Sequence, residues 1–294
     1  MSLGRRIVCL GVFMLTATQA TAQDLRELRI ETFIYTDSKD RPVSENLTLF
    51  KDGRVFDFRM DTETHEPVEV TVYDPANKVF KLYDLGSQTQ MVMTEEEIIR
   101  VLAKVATDPA LKGRDPLLFE AHLPGKLQED FDAGENQITL TSESRRLTYQ
   151  AQGQPPRNPD MCNAYCDYMD WYTSLNGTDP RKMPPYARKA LNKSIREHRI
   201  IPEQVELTYS PPGVLERKLK ATSRHFVSWT LSRSDQEHLE KVRHLIKFDG
   251  VQFEQYPNRD RQTRYIPLAS IAGLTQGHQA KTLTSGDREF ENHS

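Results

Sequence analysis

The feature that most constrains this chain is a strict two-residue alternation of apolar and polar side chains between Leu25 and Met93. Side chains of a β-strand point alternately to opposite faces, so period two predicts strands with one apolar and one wet face, and disfavours helix. Six runs carry the pattern. Leu28, Ile30 and Ile34 mark the first, and Leu47 and Leu49 the second. Phe56, Phe58 and Met60 alternate with Asp57 and Arg59 in the third, and Val68, Val70 and Val72 with Glu69 and Thr71 in the fourth. Phe80 and Leu82 mark the fifth, Met91 and Met93 the sixth. The breaks carry turn chemistry: Asp37–Pro42, Lys51-Asp52-Gly53, Asp74-Pro75-Ala76-Asn77 and Leu85-Gly86-Ser87. Short polar connections between such runs predict an antiparallel meander.

The period then changes. Thr94 to Glu97 reads as a capping box, and Ile98, Ile99, Leu102 and Val105 form the stripe of a helix expected to cover the sheet. Strands return at 126–132, 137–141 and 146–150. Two helices follow, one with Met161, Tyr165, Tyr168, Met169, Tyr172 and Leu175 on a stripe, the other opened by Pro184-Pro185. Strands are expected at Val205–Tyr209 and within Leu215–Leu231. A last helix is expected behind a Ser234–Glu237 capping box. The fold class is α+β: a curved antiparallel sheet, or half-barrel, covered by helices. One domain is expected over 23–254 with a helical insertion at 158–200, and a mobile polar tail over 255–294, in which Tyr265–Leu274 is apolar enough to dock.

Residues 1–22 read as a signal peptide. Arg5 and Arg6 precede an apolar run from Ile7 to Ala17, and Ala20-Thr21-Ala22 suits a signal peptidase. The expected location is periplasmic or secreted. Of 39 basic residues the signal takes two, leaving 37 against 42 acidic and a net charge of −5. That balance disfavours a nucleic-acid partner. No stretch of about 18 apolar residues predicts a transmembrane span. Only Cys162 and Cys166 remain after the signal. In an oxidising compartment two cysteines favour a disulfide over a metal site. One helical turn apart, their Cα atoms lie about 6 Å from each other, within disulfide range. A redox or metal pair, or two unpaired thiols beside the core, fit the same spacing.

The chain has no G-x-S-x-G, H-E-x-x-H, phosphate loop, dinucleotide glycine motif or S-x-x-K. No catalytic residue, metal ligand or cofactor is assigned. The histidines are scattered, and the basic residues from Arg181 to Arg196 read as the solvated face of a helix. The cluster Tyr165, Tyr168, Trp171 and Tyr172 fits a binding platform or plain core packing. The meander offers more. Phe56, Phe58, Met60, Val70, Val72, Phe80, Leu82, Met91 and Met93 form a candidate ligand-binding wall, with Ile98, Leu102 and Val105 as its lid. Such walls suit acyl chains, and methionine repacks readily around them.

The order of elements, with the Tyr73-Asp74-Pro75 turn and the Val79–Tyr83 strand, resembles the periplasmic lipoprotein-carrier (LolA-like) half-barrel family over roughly residues 25–231. The resemblance implies a curved sheet wrapped around a lid of helices and an apolar interior that receives acyl chains. The family's helix before the first strand has no room here, the segment 158–199 is extra, and its gating arginine maps to no particular Arg. The leading expectation is an exported, non-enzymatic binder of lipid or an acylated ligand. The alternatives are a cell-envelope structural or interaction module with a packed core and an envelope protein partner, and a redox protein using Cys162 and Cys166.

Overall fold

The computed structural model describes residues 27–36, 40–108, 115–180, 182–213 and 218–256. The expected signal peptide at 1–22, and all of the expected tail except Gln255 and Tyr256, lie outside them. The meander comprises β1 (Leu28–Thr36), β2 (Ser44–Lys51), β3 (Arg54–Met60), β4 (Pro67–Asp74), β5 (Val79–Asp84) and β6 (Thr89–Thr94). Next come α1 (Glu95–Thr107), α2 (Pro116–Glu120), β7 (Leu127–Asp132), β8 (Gln137–Ser142) and β9 (Leu147–Gln154). Helices α3 (Pro159–Asn176) and α4 (Tyr186–His198) precede β10 (Ile201–Tyr209) and β11 (Leu219–Ser228). Helix α5 (Arg233–Val242) and the two-residue β12 (Asp249–Gly250) follow, with short 3-10 turns at Leu245–Lys247 and Phe253–Gln255.

The strands form one open sheet of 12, in the order β12-β6-β5-β4-β3-β2-β1-β11-β10-β9-β8-β7. Neighbours are antiparallel except β12, which runs parallel to β6. The architecture is therefore α+β and mostly sheet. Strand β11 joins the two halves by pairing with β1 on one side and β10 on the other. Helix α2 and strand β12 carry too few residues to show a period, and the sequence pattern did not predict them.

Local chemistry explains the boundaries. Asp52 and Gly53 take positive φ (51° and 72°) in the two-residue turn between Lys51 and Arg54, the backbone that tight hairpins require. Thr94 caps α1 by accepting from the Glu97 backbone N–H at 3.2 Å, and Glu97 accepts in return from Thr94 N–H at 2.8 Å. The cap of α5 lies two residues before the expected box. Ser232 accepts from Asp235 N–H, and the Asp235 carboxylate accepts from Ser232 N–H. Strand β10 starts earlier than Val205, and its register slips between Pro202 and Gln204. Gly153 sits opposite that slip; a Cβ there would lie 2.1 Å from the Ile201 carbonyl oxygen.

Both faces of the sheet are covered, and each has its own core. One face packs against α1, α3 and α4. Its core includes Leu28, Phe50, Val55, Tyr73, Phe80, Leu82, Met91 and Met93, with Ile98, Met161, Tyr168, Leu191 and Ile195 from the helices. The other face packs against α5 and the turn after it. Its core joins Leu47, Leu49, Phe58, Val70, Val72 and Tyr83 to Leu239, Val242, Leu245 and Phe248. We call these the α3 face and the α5 face.

Candidate functional site

The expected ligand-binding wall is divided between the two faces. Phe80, Leu82, Met91 and Met93 lie on the α3 face with Ile98 of α1, and Leu102 packs against the same core. Val105 lies half-buried on α1 outside that core. Phe58, Val70 and Val72 lie on the α5 face, with Phe56 and Met60 packed against them. The reason is register. Val72 pairs with Lys81 and Tyr73 with Phe80 across the β4–β5 turn. Directly paired residues share a face, so the apolar set of β4 and that of β5 point to opposite sides. The nine residues are therefore not one wall.

Register also places polar residues under the helix layer. On the α3 face His225, Thr32, Asn46, Arg59, Glu69 and Asp84 are consecutive cross-strand partners from β11 to β5. Asn46, Glu69, Asp84 and His225 are all buried. Asp57 and Thr48, on the neighbouring row, are buried as well. Arg59 and Glu69 form an ion pair at 3.8 Å.

Part of this polar row floors a cavity of about 100 Å³ lined by Thr32, Asn46, Thr48, Asp57, Ser223 and His225, by Ile30 and Ile34, and by Tyr165, Tyr168, Met169 and Tyr172 of α3 with Arg188 of α4. The Asp57 carboxylate accepts from Thr48 Oγ1 at 2.6 Å and from Asn46 Nδ2 at 2.8 Å. Burial pushes its pKa up to about 6 against the pull of those two donors. Both ring nitrogens of His225 have hydroxyl partners, Thr32 at 2.9 Å and Ser223 at 3.0 Å. Burial, reinforced by the Arg188 charge, lowers its pKa to about 3, so the ring is neutral. Arg188 donates Nε to Asn192 and Nη2 to the Tyr165 hydroxyl.

A second cavity, of about 490 Å³, lies on the α5 face between β2–β5 and α5. Phe56, Val72 and Tyr83 line it from the sheet, and Leu239, Val242 and Ile246 from α5 and the turn beyond. Lys51, Arg54, Lys81 and Arg243 border it. Lys51 pairs with Glu27, Arg54 with Asp74 at 3.0 Å and Arg243 with Glu240 at 3.0 Å. Lys81 is exposed and makes no ion pair among the described residues. Helix α5, the outer wall of this groove, is tied to β1 through Arg29, whose Nε lies 3.1 Å from both Asp235 carboxylate oxygens.

Cys162 and Cys166 are free and buried, so the expected disulfide is absent. A helix brings residues one turn apart near each other but holds their side chains in parallel, away from disulfide geometry. Cys162 Sγ donates to the Ile200 carbonyl at 3.4 Å. A hydrogen bond between the two thiols lowers the Cys162 pKa and, with burial, raises that of Cys166. Among the described residues no group of three His, Cys, Asp or Glu side chains is placed to hold a metal ion, and no helix is long and apolar enough to cross a membrane.

The sequence reading missed Asn46, Thr48, Asp57, Arg188 and His225 as lining residues, and α5 as a groove wall. The basic face of the second insertion helix is not wholly solvated: Lys182 before it is buried and Arg188 turns into the cavity. The charges of β3 carried no readable signal, because Asp57 and Arg59 alternating with Phe56, Phe58 and Met60 read as a wet face. Comparison with protein-family models and with curated proteins finds no match.

Proposed function

We propose that the chain is an exported, non-enzymatic binder of lipid or acyl chains, built as a half-barrel whose ligand lies in the groove beneath α5. The observation that carries this reading is the groove of about 490 Å³ where Phe56 and Val72 meet Leu239, Val242 and Ile246. Its volume falls in the range of about 300–1,000 Å³ of small-ligand pockets, and its apolar floor is ringed by charges of both signs, Asp52, Asp74 and Glu240 beside Lys51, Arg54, Lys81 and Arg243. Two cavities on the α3 face among the described residues, of about 100 and 30 Å³, are too small for an acyl chain. Each buried methylene contributes about 0.8 kcal/mol, so eight of them supply roughly 6 kcal/mol before the cost of immobilisation. Lys81 provides a charge for a carboxylate or phosphate head group at the rim.

Native mass spectrometry of the chain expressed with residues 1–22, followed by organic extraction, tests the reading, together with displacement of a fluorescent fatty acid. Co-purified lipid and saturable uptake are expected. Ile246→Glu weakens uptake at least tenfold, while Phe226→Ser, at an exposed residue outside the groove, leaves it unchanged. A clean apo mass with no uptake refutes it. A second reading, an envelope interaction module acting on a protein partner, is favoured by the close-packed part of the α3 face, where Leu28, Phe80, Ile98, Leu191 and Ile195 are fully buried; the refuting result above leads to it.

A further inference from the structure

We propose that the cavity between β1–β3, β11 and α3 is a second binding site, for a small organic ammonium compound that also carries an oxygen acceptor, with the Asp57 carboxylate as its counter-ion. It lies on the opposite face of the sheet from the acyl groove and does not depend on that reading.

Asp57 is 4% exposed, its two hydrogen-bond donors are neutral, and it makes no ion pair among the described residues. The neighbouring guanidinium, Arg59, is paired with Glu69. Burying an ion without a partner is costly, and such a group is stabilised by any cation that reaches it. The charged and titratable groups around Asp57 are Arg59 on its own strand, Glu69 on β4, His225 on β11, Arg188 on α4 and the three tyrosines of α3. Of these, Glu69 and Arg59 offset one another, the hydroxyl-bonded His225 ring is neutral, and Arg188, held by Asn192 and Tyr165, is a cation on the α4 side.

The remaining walls select the kind of cation. Tyr165, Tyr168 and Tyr172 line the α3 side, the last two with ring centroids 5.4 Å apart. Aromatic rings favour alkylated ammonium groups, which give up their water readily. Arg188 lies on the α4 side and has N–H capacity beyond its two bonds, which suits an oxygen acceptor at the far end of the ligand. A volume of about 100 Å³ is below the ~150 Å³ of a cavity that takes benzene, so the ligand has the size of an amino alcohol. Tyr172, Met169 and Arg188 are only half-buried, which leaves a way in.

The test is calorimetric titration of the full chain with N-methylethanolamine, and with butan-1-ol as its neutral isostere. The amine is expected to bind once per chain at pH 8, at least tenfold more tightly than the isostere. Since Asp57 gains a proton near pH 6, affinity falls about tenfold by pH 5. Asp57→Asn removes the preference for the amine over its isostere; Tyr172→Ala, at a half-buried position, weakens the amine without unfolding the chain. A monomeric lysolipid with a phosphoethanolamine head tells the sources apart. Competition with the amine assigns a lipid head group, and its absence a free solute, each with the site confirmed. Equal binding of the isostere, unchanged amine affinity in folded Asp57→Asn, or no heat at millimolar amine overturns the proposal.

Discussion

Replacing Asp57 by Asn has an effect on stability whose sign depends on pH. In the folded chain burial raises the Asp57 pKa from 3.8 to about 6, so its proton is held two units longer than in the unfolded chain. The folded state binds more protons in that interval. The resulting stability is fully present below about pH 4 and is lost as pH rises through 6. Two units correspond to about 3 kcal/mol of destabilisation by the ionised group at pH 8. Asparagine cannot ionise, but it keeps one acceptor where the carboxylate serves both Thr48 and Asn46, at a cost of about 1 kcal/mol for the mismatched donor. Asp57→Asn is therefore expected to be less stable than wild type by about 1 kcal/mol at pH 4 and more stable by roughly 2 kcal/mol at pH 8. Urea unfolding of both proteins between pH 4 and 8 reads the difference directly, because distant titrating groups cancel. A difference that does not move with pH, or a variant weaker at pH 8 than at pH 4, refutes the reasoning.

Three further outcomes follow from the geometry. Asp235→Ala keeps the Ser232 cap but removes the carboxylate that accepts from Ser232 N–H and from Arg29; at about 1 kcal/mol for the reciprocal bond and 1.5–3 for the charged one, the α5 amides should exchange with solvent at least 30-fold faster. Protection within threefold of wild type would mean that the anchor contributes little. Gly153→Ala drives a methyl group into the Ile201 and Pro202 backbone and should cost more than about 2 kcal/mol in thermal or urea unfolding, and a neutral result would show that the strand crossing yields. Cys162 and Cys166, both buried and free, should resist Ellman's reagent in the native protein and both titrate in guanidinium; no titratable thiol after unfolding would establish a disulfide instead.

Much of the strand order was readable because alternation survives in any half-buried sheet. The runs at Leu47–Leu49, Phe56–Met60, Val70–Val72 and Phe80–Leu82 all fall in strands, and Thr94 caps α1 as its spacing predicts. The facing of those runs was not readable. It depends on whether the residues paired across a turn fall in the same phase of the alternation, and the turn from Asp74 to Val79 reverses that phase without any change in composition. The cavity over Asp57 escaped notice for a related reason. Its residues come from β1, β2, β3, β11, α3 and α4, and a charge such as Asp57 reads as solvated until a second layer is known to lie over it. The cap of α5 was misplaced because Ser232 and Ser234 both offer a hydroxyl three residues before an acid.

The two ends of the sheet carry different safeguards against templating another chain. Strand β7 presents Glu129, Asp130 and Asp132, whose charges repel an incoming strand. Strand β6 is uncharged, with the run Thr-Gln-Met-Val-Met-Thr and Val92 53% exposed. Its guard is physical: Asp249 and Val251 donate to the Gln88 and Gln90 carbonyls, and the Gln90 side chain fastens to the Ile246 and Phe248 carbonyls. The short segment after α5 thus acts as a stopper on an uncharged edge of the kind that seeds cross-β stacking. Proteolytic loss of a few residues near 249 would leave the rest of the sheet paired while turning a covered edge into a nucleus for aggregation.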